Sequence, residues 1–317
     1  MTDLSASSVS STNDPASNAV TDAQPAGTLR RPFTKGHGTE NDFVLLPDLD
    51  GTLHLTPGQV RALADRRAGL GGDGVIRVAP TASSDEPDVR AQADVATWFM
   101  DYRNADGSPA QMCGNGTRVF AAYLLREGLV TGPEFDIATR AGVKRIRVTP
   151  EGFATNLGPW QVPHREQLRE RGFDTLVALP GHDPLPALSL DLGNPHAVVA
   201  LPEDFDLDGV DLTHAPELNP AVAQGCNVEL AQPLGPGHVR MRVHERGVGE
   251  TRSCGTGAAA TALALMLWSG EPREHERWRV DVPGGTLHVC ALPGGEVELS
   301  GPAVLVADGL VDLVSAG

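Results

Sequence analysis

The chain lacks a long apolar run and any cluster of basic residues. No stretch approaches the roughly 18 consecutive apolar residues of a membrane-spanning helix. Its 25 Lys and Arg residues are outnumbered by 41 Asp and Glu residues, which gives a formal net charge of −16. Because an acidic protein repels polyanions, we expect neither nucleic acid nor an anionic membrane as a partner.

Cysteine is scarce as well, and histidine is dispersed. The four cysteines form no CxxC pair, so neither a disulfide framework nor a structural zinc site is expected, and no metal is predicted. Residues 1–29 contain no Lys or Arg and no apolar stretch of the kind that a signal peptide needs. They are predicted to form a disordered N-terminal tail on a cytoplasmic protein.

The rest of the chain is rich in short β-type runs. Segments such as "KRIRVT" and "HVRMRVHERG" are separated by Gly and Pro residues, and helical patterns are few. The regular alternation of strand and helix that is typical of a doubly wound fold is missing. The sequence therefore predicts a strand-dominated α/β fold of the α+β type.

One internal repeat contains reactive residues. "MCGNGTRVFAAYLL" at residues 112–125 matches "SCGTGAAATALALM" at residues 253–266, and both place Cys-Gly-x-Gly before a helix of small and apolar residues. Cys113 and Cys254 are separated by about one domain length. We infer two similar domains, each with a sheet around its own central helix, and the second helix is apolar enough to be buried on all sides.

The N-terminus of such a helix suits both an anion and a thiolate. Its first N–H groups have no partner within the helix, and its dipole favours the thiolate, so we expect the pKa of each cysteine to be lowered toward neutrality. Two such sites that face each other predict a reaction that inverts the configuration of the carbon atom between them. A thiolate removes the proton α to a carboxylate on one face, and a thiol returns a proton on the other, without a cofactor.

Ordinary structural interpretations exist for these residue types. Free cysteine is usually a buried core residue, which is our expectation for Cys226 and Cys290. Other polar residues are, taken alone, typical of loops, turns or surface ion pairs: His196, Asn104 and Asp106, and Glu245 with Arg246. Only the surrounding motifs favour a functional role for them, and Asp106 is expected to remain a turn residue.

Five motifs occur in order along the chain: "KGHGTENDF", "NADGSPAQMCGNGTR", "GNPHAVV", "CNVEL" and "ERGVGETRSCGTGAA". Through them the chain resembles the diaminopimelate epimerase family over about residues 32–314. That family interconverts LL- and meso-2,6-diaminopimelate without pyridoxal phosphate. The resemblance implies the same activity, no cofactor, a small-molecule substrate and a homodimer.

The resemblance also implies roles for individual residues. Cys254 would accept and Cys113 would donate the proton in the LL-to-meso direction, with Glu245 and His196 beside the reacting centre. Glu245 would hold the α-ammonium and Arg246 the distal carboxylate. The remaining implied substrate-binding residues are donors around the reacting carboxylate and amides at the distal end: Gly114, Asn115, Gly255 and Thr256, and Asn41, Asn104, Asn194 and Asn227.

The fold implied by the resemblance has two pseudo-symmetric domains, each a mostly antiparallel sheet or barrel wrapped around a central helix. Residues 30–155 plus 304–317 are expected to form the N-terminal domain, and residues 156–303 the C-terminal one. Two positions depart from the family pattern. Residues 38–41 are Gly-Thr-Glu-Asn where Gly-Leu-Gly-Asn is common, and Gly74 stands where some members place a contacting glutamine.

Two other functions stay open at this point. A proline-type racemase would also use two cysteines as acid and base, but it would need a small pocket and no distal arginine. A redox sensor would use the two cysteines as a reversible disulfide and would not exchange the α-hydrogen of any substrate.

Overall fold

The computed structural model describes residues 28–314. The predicted tail therefore lies outside the described residues except for residues 28 and 29, which belong to the first strand, Thr28–Gly38. Among residues 28–314, no helix combines the length and the apolar character that crossing a bilayer demands.

The described chain is mostly β-strand. In chain order the strands are β1 Thr28–Gly38, β2 Asn41–Pro47, β3 Gly74–Pro80, β4 Trp98–Asn104, β5 Glu134–Ile137, β6 Lys144–Thr149, β7 Gly152–Pro159, β8 Thr175–Ala178, β9 Leu185–Asp191, β10 Pro195–Ala200, β11 Glu217–Asn219, β12 Asn227–Gly235, β13 His238–Glu245, β14 Gly249–Thr251, β15 Arg277–Val282, β16 Gly285–Leu292, β17 Glu296–Gly301 and β18 Val304–Val314. The α-helices are α1 Pro57–Ala64, α2 Pro87–Arg90, α3 Gly114–Arg126, α4 Arg165–Arg171 and α5 Gly255–Ser269.

The strands form two sheets. A five-stranded sheet has the order β18-β1-β2-β3-β4, and a 13-stranded sheet runs β11-β8-β9-β10-β12-β13-β15-β16-β17-β7-β6-β5 with β14 beside β13. Most neighbours are antiparallel, whereas β2 with β3, β10 with β12, and β13 with β15 are parallel. The predicted strand-dominated α/β fold, without regular alternation of strand and helix, is confirmed.

Each of the two long helices is the centre of its own core. Val119, Phe120 and Leu124 of α3 are fully buried among side chains of β2, β3 and β4 and of the 13-stranded sheet, including Ile146. Helix α5 is built almost wholly from Ala, Leu and small residues and is buried along nearly its entire length, as its pattern predicted. Its core includes Met241 and side chains from β9, β10 and β15–β17.

The connection between the two helix-centred halves is continuous. Strand β7 pairs with β6 on one side and with β17 on the other, so sheet pairing continues across the predicted boundary at residues 155 and 156. The last strand, β18, returns to pair with β1 from His37 to Thr28. The division into residues 30–155 plus 304–317 and residues 156–303 stays a prediction.

Candidate active site

Both cysteines of the repeat lie at the N-terminus of a buried helix. Cys113 is the N-cap of α3 and Cys254 is the N-cap of α5, and both have extended backbone angles there. The Sγ atom of Cys113 accepts the Gly116 N–H at 3.4 Å, and that of Cys254 accepts the Gly257 N–H at 3.3 Å. Each sulfur thus replaces the side-chain oxygen that usually caps a helix.

The two helix N-termini meet. Asn115 Nδ2 on α3 donates to Ser253 O at 3.0 Å and to Ser253 Oγ at 3.3 Å, directly before Cys254. A Cβ atom on Gly255 would lie 3.7 Å from Gly114 Cα and only 2.9 Å from Leu299 Cδ2. Glycine at position 255 therefore permits the close approach that brings Cys113 and Cys254 to one junction.

Cys113 faces an amide oxygen. Its Sγ lies 3.6 Å from Asn41 Oδ1, which also accepts Asn115 Nδ2 at 3.1 Å. The other end of this amide, Asn41 Nδ2, donates to Asp73 Oδ2 at 2.6 Å. Because Asp73 accepts only from the NH₂ group, it fixes the Asn41 amide with its oxygen toward the thiol.

A buried guanidinium lies behind the same helix N-terminus. Arg118 is fully buried and donates to Gly114 O at 3.3 Å, Thr39 Oγ1 at 3.2 Å and Pro302 O at 3.2 Å. Within residues 28–314 no carboxylate pairs with it, and burial lowers its pKa to about 10. Its positive charge opposes the rise in the pKa of Cys113.

Cys254 stands at the end of a chain of polar contacts. Thr256 Oγ1 lies 3.6 Å from Cys254 Sγ and accepts Asn194 Nδ2 at 3.3 Å. Asn194 Oδ1 lies 3.1 Å from His196 Nε2, and His196 Nδ1 lies 2.7 Å from Glu229 Oε1. The His196 and Glu229 side chains are completely buried, so the contact between these two forms without competition from water.

The charge of Glu245 acts on both cysteines. Glu245 Oε1 accepts a hydrogen bond from the Thr251 hydroxyl, and the Glu245 charge raises the pKa of Cys113 and of Cys254. Burial raises the pKa of Glu245 itself, and its hydrogen bonds to Thr251 and Cys254 oppose that rise.

Arg246 does not pair with Glu245. Among the described residues no ion pair joins the exposed Arg246 guanidinium to a carboxylate, so the interpretation as a surface ion pair is wrong. The backbone N–H of Arg246 donates to Asn227 Oδ1 at 2.9 Å. This bond attaches Asn227, which is buried, to the turn that presents Arg246.

The predicted lowering of the two thiol pKa values is also wrong. Burial raises the pKa of Cys113 to about 11, against the opposing effect of the Gly116 and Asn115 N–H groups. Burial raises the pKa of Cys254 well above its ordinary value, and the negative charges of Glu245 and of an ionised Glu229 act in the same direction. Desolvation disfavours the thiolate more than a helix N-terminus favours it.

Gly74 leaves no room for a side chain. A Cβ atom there would lie 2.5 Å from both the Arg103 carbonyl oxygen and Tyr102 Cε2. The space is filled by the Tyr102 ring, which packs edge-on against Phe43 with centroids 5.7 Å apart. Gly74 lies opposite Asn104 in the pairing of β3 with β4.

Asn104 and Asp106 both stabilise the turn after β4. Asn104 Nδ2 donates to Ser108 Oγ at 3.1 Å, and Asp106 Oδ1 accepts the Ser108 N–H at 2.8 Å. The expected turn role of Asp106 is confirmed. The Ala105 N–H donates to Asp73 O at 3.1 Å, so this turn adjoins the Asn41–Asp73 pair.

The remaining two cysteines, Cys226 and Cys290, do not cap either of the two helices. All four cysteines are free; Cys226 is buried in a core cluster, as expected, whereas Cys290 is only half-buried and belongs to no core cluster of the described residues. Residues 28–314 contain no group of three or more His, Cys, Asp and Glu side chains that could hold a metal ion. A cavity of about 480 Å³ opens beside Asn41, Thr251 and Ser253, at the rim of the junction.

Sequence reasoning missed four residues that the structure places in or behind the site. They are Asp73, Tyr102, Arg118 and Glu229. Arg118 had a visible signal, since it is the one charged residue within the small and apolar repeat "CGNGTRVFAA". Burial raises the pKa of Tyr102, and the charges of Cys113, Asp73 and Glu245 act in the same direction, so its phenol lies near both halves of the site.

The chain is similar to known proteins over most of its length. A family model described as diaminopimelate epimerase matches residues 33–162 and 188–306. A relative of that name from Streptomyces coelicolor is 49% identical over 292 residues, covering 90% of this chain and 96% of its own. Another from Thermobifida fusca is 47% identical over 289 residues, covering 89% of this chain and 98% of its own.

Solved structures share the fold at low identity. A phenazine biosynthesis protein of the PhzF family from Bacillus anthracis has a TM-score of 0.63 at 16% identity, covering 89% of this chain and 99% of that one. A hydroxyproline epimerase from Agrobacterium vitis has a TM-score of 0.60 at 14% identity, covering 90% of this chain and 93% of that one.

Proposed function

The chain belongs to the diaminopimelate epimerase family, and we propose that it interconverts LL- and meso-2,6-diaminopimelate with Cys113 and Cys254 as the acid and base. It is an isomerase that inverts one α-carbon. The observation that carries the proposal is the junction of two cysteine-capped helices, with Glu245 acting electrostatically on both thiols.

The charged groups at the reacting end of the substrate match the groups that line the junction. The first N–H groups of α3 and α5, from Gly114, Asn115, Gly255 and Thr256, are the donors for the α-carboxylate. Glu245 pairs with the α-ammonium. Pairing neutralises the charge that raises both thiol pKa values, so substrate binding itself makes a thiolate easier to form.

The proton transfers balance without a cofactor. In the LL-to-meso direction the Cys254 thiolate takes the α-proton, so that the Cα–H bond breaks and an S–H bond forms. The electron pair left on carbon is delocalised into the carboxylate, where the helix N–H groups stabilise the growing charge. Cys113 then delivers its thiol proton to the opposite face and becomes the thiolate.

The distal end of the substrate is assigned to Arg246 and the amide side chains. Arg246 is exposed and unpaired with any described carboxylate, which suits bidentate binding of the second carboxylate. Amides that both donate and accept suit the second amino-acid group, and these are Asn41, Asn104, Asn194 and Asn227. This distal cation favours a diamino dicarboxylate over proline, so the proline-type racemase is not favoured.

The experiment is α-hydrogen exchange in deuterated water. Purified protein is incubated separately with LL-diaminopimelate and L-proline, and deuterium at the α-carbon is followed by mass spectrometry while the isomers are separated by chiral chromatography. We expect exchange and inversion only with diaminopimelate. Exchange into proline alone would support the racemase, and no exchange with reduced protein would support a redox sensor.

A homodimer in the cytoplasm is part of the same proposal. Strand β18 is an edge strand of the five-stranded sheet, and it exposes Val304, Val306 and Leu310. A long edge strand with exposed apolar residues favours pairing with a second copy. Sedimentation equilibrium tests this, and a monomer at micromolar concentration would contradict it.

A further inference from the structure

Glu229 has a buried carboxyl group, and only one of its two oxygens makes a hydrogen-bonding contact within the described part of the chain. Its side chain is completely buried, and Oε1 lies 2.7 Å from His196 Nδ1. Among the described residues, Oε2 has no hydrogen-bond partner. None of the roles assigned above to substrate-binding or acid-base residues uses this group.

The unpartnered oxygen favours the neutral acid. A carboxylate with a fully buried oxygen that accepts no hydrogen bond is disfavoured, and burial raises the pKa of Glu229 against the opposing effect of His196. A neutral Glu229 has one proton to donate, and the short contact places it between Oε1 and His196 Nδ1. Neutral His196 then has Nδ1 as acceptor and carries its own proton on Nε2.

The remaining contacts take their direction from that tautomer. His196 Nε2–H donates to Asn194 Oδ1 at 3.1 Å, which leaves Asn194 Nδ2 to donate to Thr256 Oγ1 at 3.3 Å. Thr256 is then an acceptor from Asn194, and its own hydroxyl proton is directed to Cys254 Sγ at 3.6 Å. Every member of the chain donates toward the sulfur.

We propose that Glu229 is a positioning residue that fixes the Nε2–H tautomer of His196 and thereby directs the Thr256 hydroxyl to donate to Cys254. The proposal rests on the proposed function, since it explains how Cys254 is held as a base. A hydroxyl donor stabilises the thiolate form, and a protonated Glu229 lacks the negative charge that would raise the pKa of Cys254.

The local backbone is built to admit this carboxyl group. A Cβ atom on Gly257, in the first turn of α5, would lie 2.8 Å from Glu229 Oε1. Position 257 has a helical φ, so its glycine is explained by the approach of Glu229 and of the Cys254 side chain rather than by backbone conformation. The contact places Glu229 directly against the turn that Cys254 caps.

The first test reads the tautomer itself. Protein labelled with ¹⁵N-histidine is examined by long-range ¹H–¹⁵N correlation, and the His196 signals are assigned by their loss in His196→Gln. We expect one protonated nitrogen, Nε2, at pH 7. Protonation of both nitrogens, or of Nδ1 alone, would overturn the proposal. This result needs only the wild-type fold and no turnover.

The second test separates Glu229 from a merely structural residue. Glu229→Gln keeps a donor for His196 Nδ1, whereas Glu229→Leu removes it. We expect Glu229→Leu to lose roughly tenfold to a hundredfold in kcat with KM nearly unchanged, because only the direction of a donor is altered, and Glu229→Gln to recover most of that loss. Equal losses in both variants would contradict the proposal.

Alkylation of the two cysteines adds a comparison within one molecule. Iodoacetamide labelling is followed peptide by peptide, and Glu229→Leu is expected to slow labelling of Cys254 several-fold relative to Cys113. Glu298→Gln, which removes a half-buried carboxylate paired with Arg147, is the control and should leave the ratio unchanged. If wild-type protein shows the tautomer but no epimerisation, the proposed function fails and the Glu229 assignment stands.

Discussion

Asn41 Oδ1 lies 3.6 Å from Cys113 Sγ, and the same oxygen accepts a hydrogen bond from Asn115 at 3.1 Å. The orientation of this amide depends on Asp73, which accepts Asn41 Nδ2 at 2.6 Å. An oxygen beside the sulfur favours a protonated thiol, since a thiol can donate to it and a thiolate cannot. The pair therefore suits Cys113 as the proton donor.

Removal of Asp73 is predicted to impair catalysis through Asn41. In Asp73→Ala the Asn41 amide loses the acceptor that holds its NH₂ group and keeps, apart from the contact with Cys113, only the bond from Asn115 Nδ2, so that its NH₂ group can replace the oxygen beside Cys113. We expect kcat in the LL-to-meso direction to fall by about tenfold or more, because a misoriented group beside the proton-donating thiol is costly. Asp73→Asn, which retains an acceptor, should lose less. Initial rates measure both, with Asp136→Ala, which removes an ion pair to Arg145, as the control.

Loss of either repeat cysteine is predicted to abolish inversion. Cys113→Ala and Cys254→Ala each remove one of the two proton-transfer groups, and such groups contribute roughly 10²- to 10⁴-fold to rate. Chiral chromatography of the product measures the loss. Cys290→Ser is the matched control, because Cys290 lies in β16 away from the junction, and it should retain near wild-type activity. Similar losses in all three variants would point to misfolding instead.

The reactivity of the thiols is predicted to rise steadily with pH. Because the pKa of Cys113 is raised to about 11, its ionised fraction below pH 10 is small and grows about tenfold for each pH unit. Iodoacetamide labelling of Cys113 should increase with that slope between pH 7 and 10 in protein without substrate. A plateau near pH 8 would mean that the pKa is not raised.

Glu245→Gln is predicted to make both cysteines more reactive while it removes epimerisation. The Glu245 charge raises the pKa of Cys113 and of Cys254, so its removal should increase the thiolate fraction of each at a given pH. The same substitution removes the partner of the substrate's α-ammonium. Peptide-resolved alkylation and the epimerase assay together test this pair of opposite effects, and Glu151→Gln, which disrupts an ion pair with Arg277, should change neither.

The sequence predicted those parts of the site that local pattern determines. Cys113 and Cys254 stand before glycine-rich helix starts, and a helix N-terminus has the same unpaired N–H groups wherever it occurs. The burial of α5 followed from its composition alone. Arg246 and Glu245 were assigned by resemblance, and the absence of an ion pair between them required the structure.

The partners of these residues could not be predicted, because they come from distant segments. Glu229 reaches His196 only because β10 and β12 pair in parallel, with His196 beside Asn227 in the register. The direction of the thiol pKa shifts also depends on burial, which a sequence pattern does not measure. The sequence prediction rested on the effect of the helix dipole on the thiol pKa, whereas desolvation of the thiolate has the larger effect.

Gly74 and Tyr102 are predicted to be energetically coupled. Since a Cβ atom at position 74 would lie 2.5 Å from Tyr102 Cε2 and from the Arg103 carbonyl oxygen, Gly74→Gln should lower the free energy of unfolding by roughly 1–3 kcal/mol or more through overpacking. Tyr102→Ala opens the space that the ring fills. In the double variant, part of the cost of Gly74→Gln should therefore disappear, with a coupling of about 1 kcal/mol in urea unfolding.

Strict additivity would show that the ring does not occupy this position. Gly58→Ala, in α1, is the control and should not destabilise the fold, because outside the adjacent helix backbone the nearest atoms lie 3.9 Å from the added Cβ. Coupling would mean that the Tyr102 ring occupies the space into which a side chain at position 74 would extend.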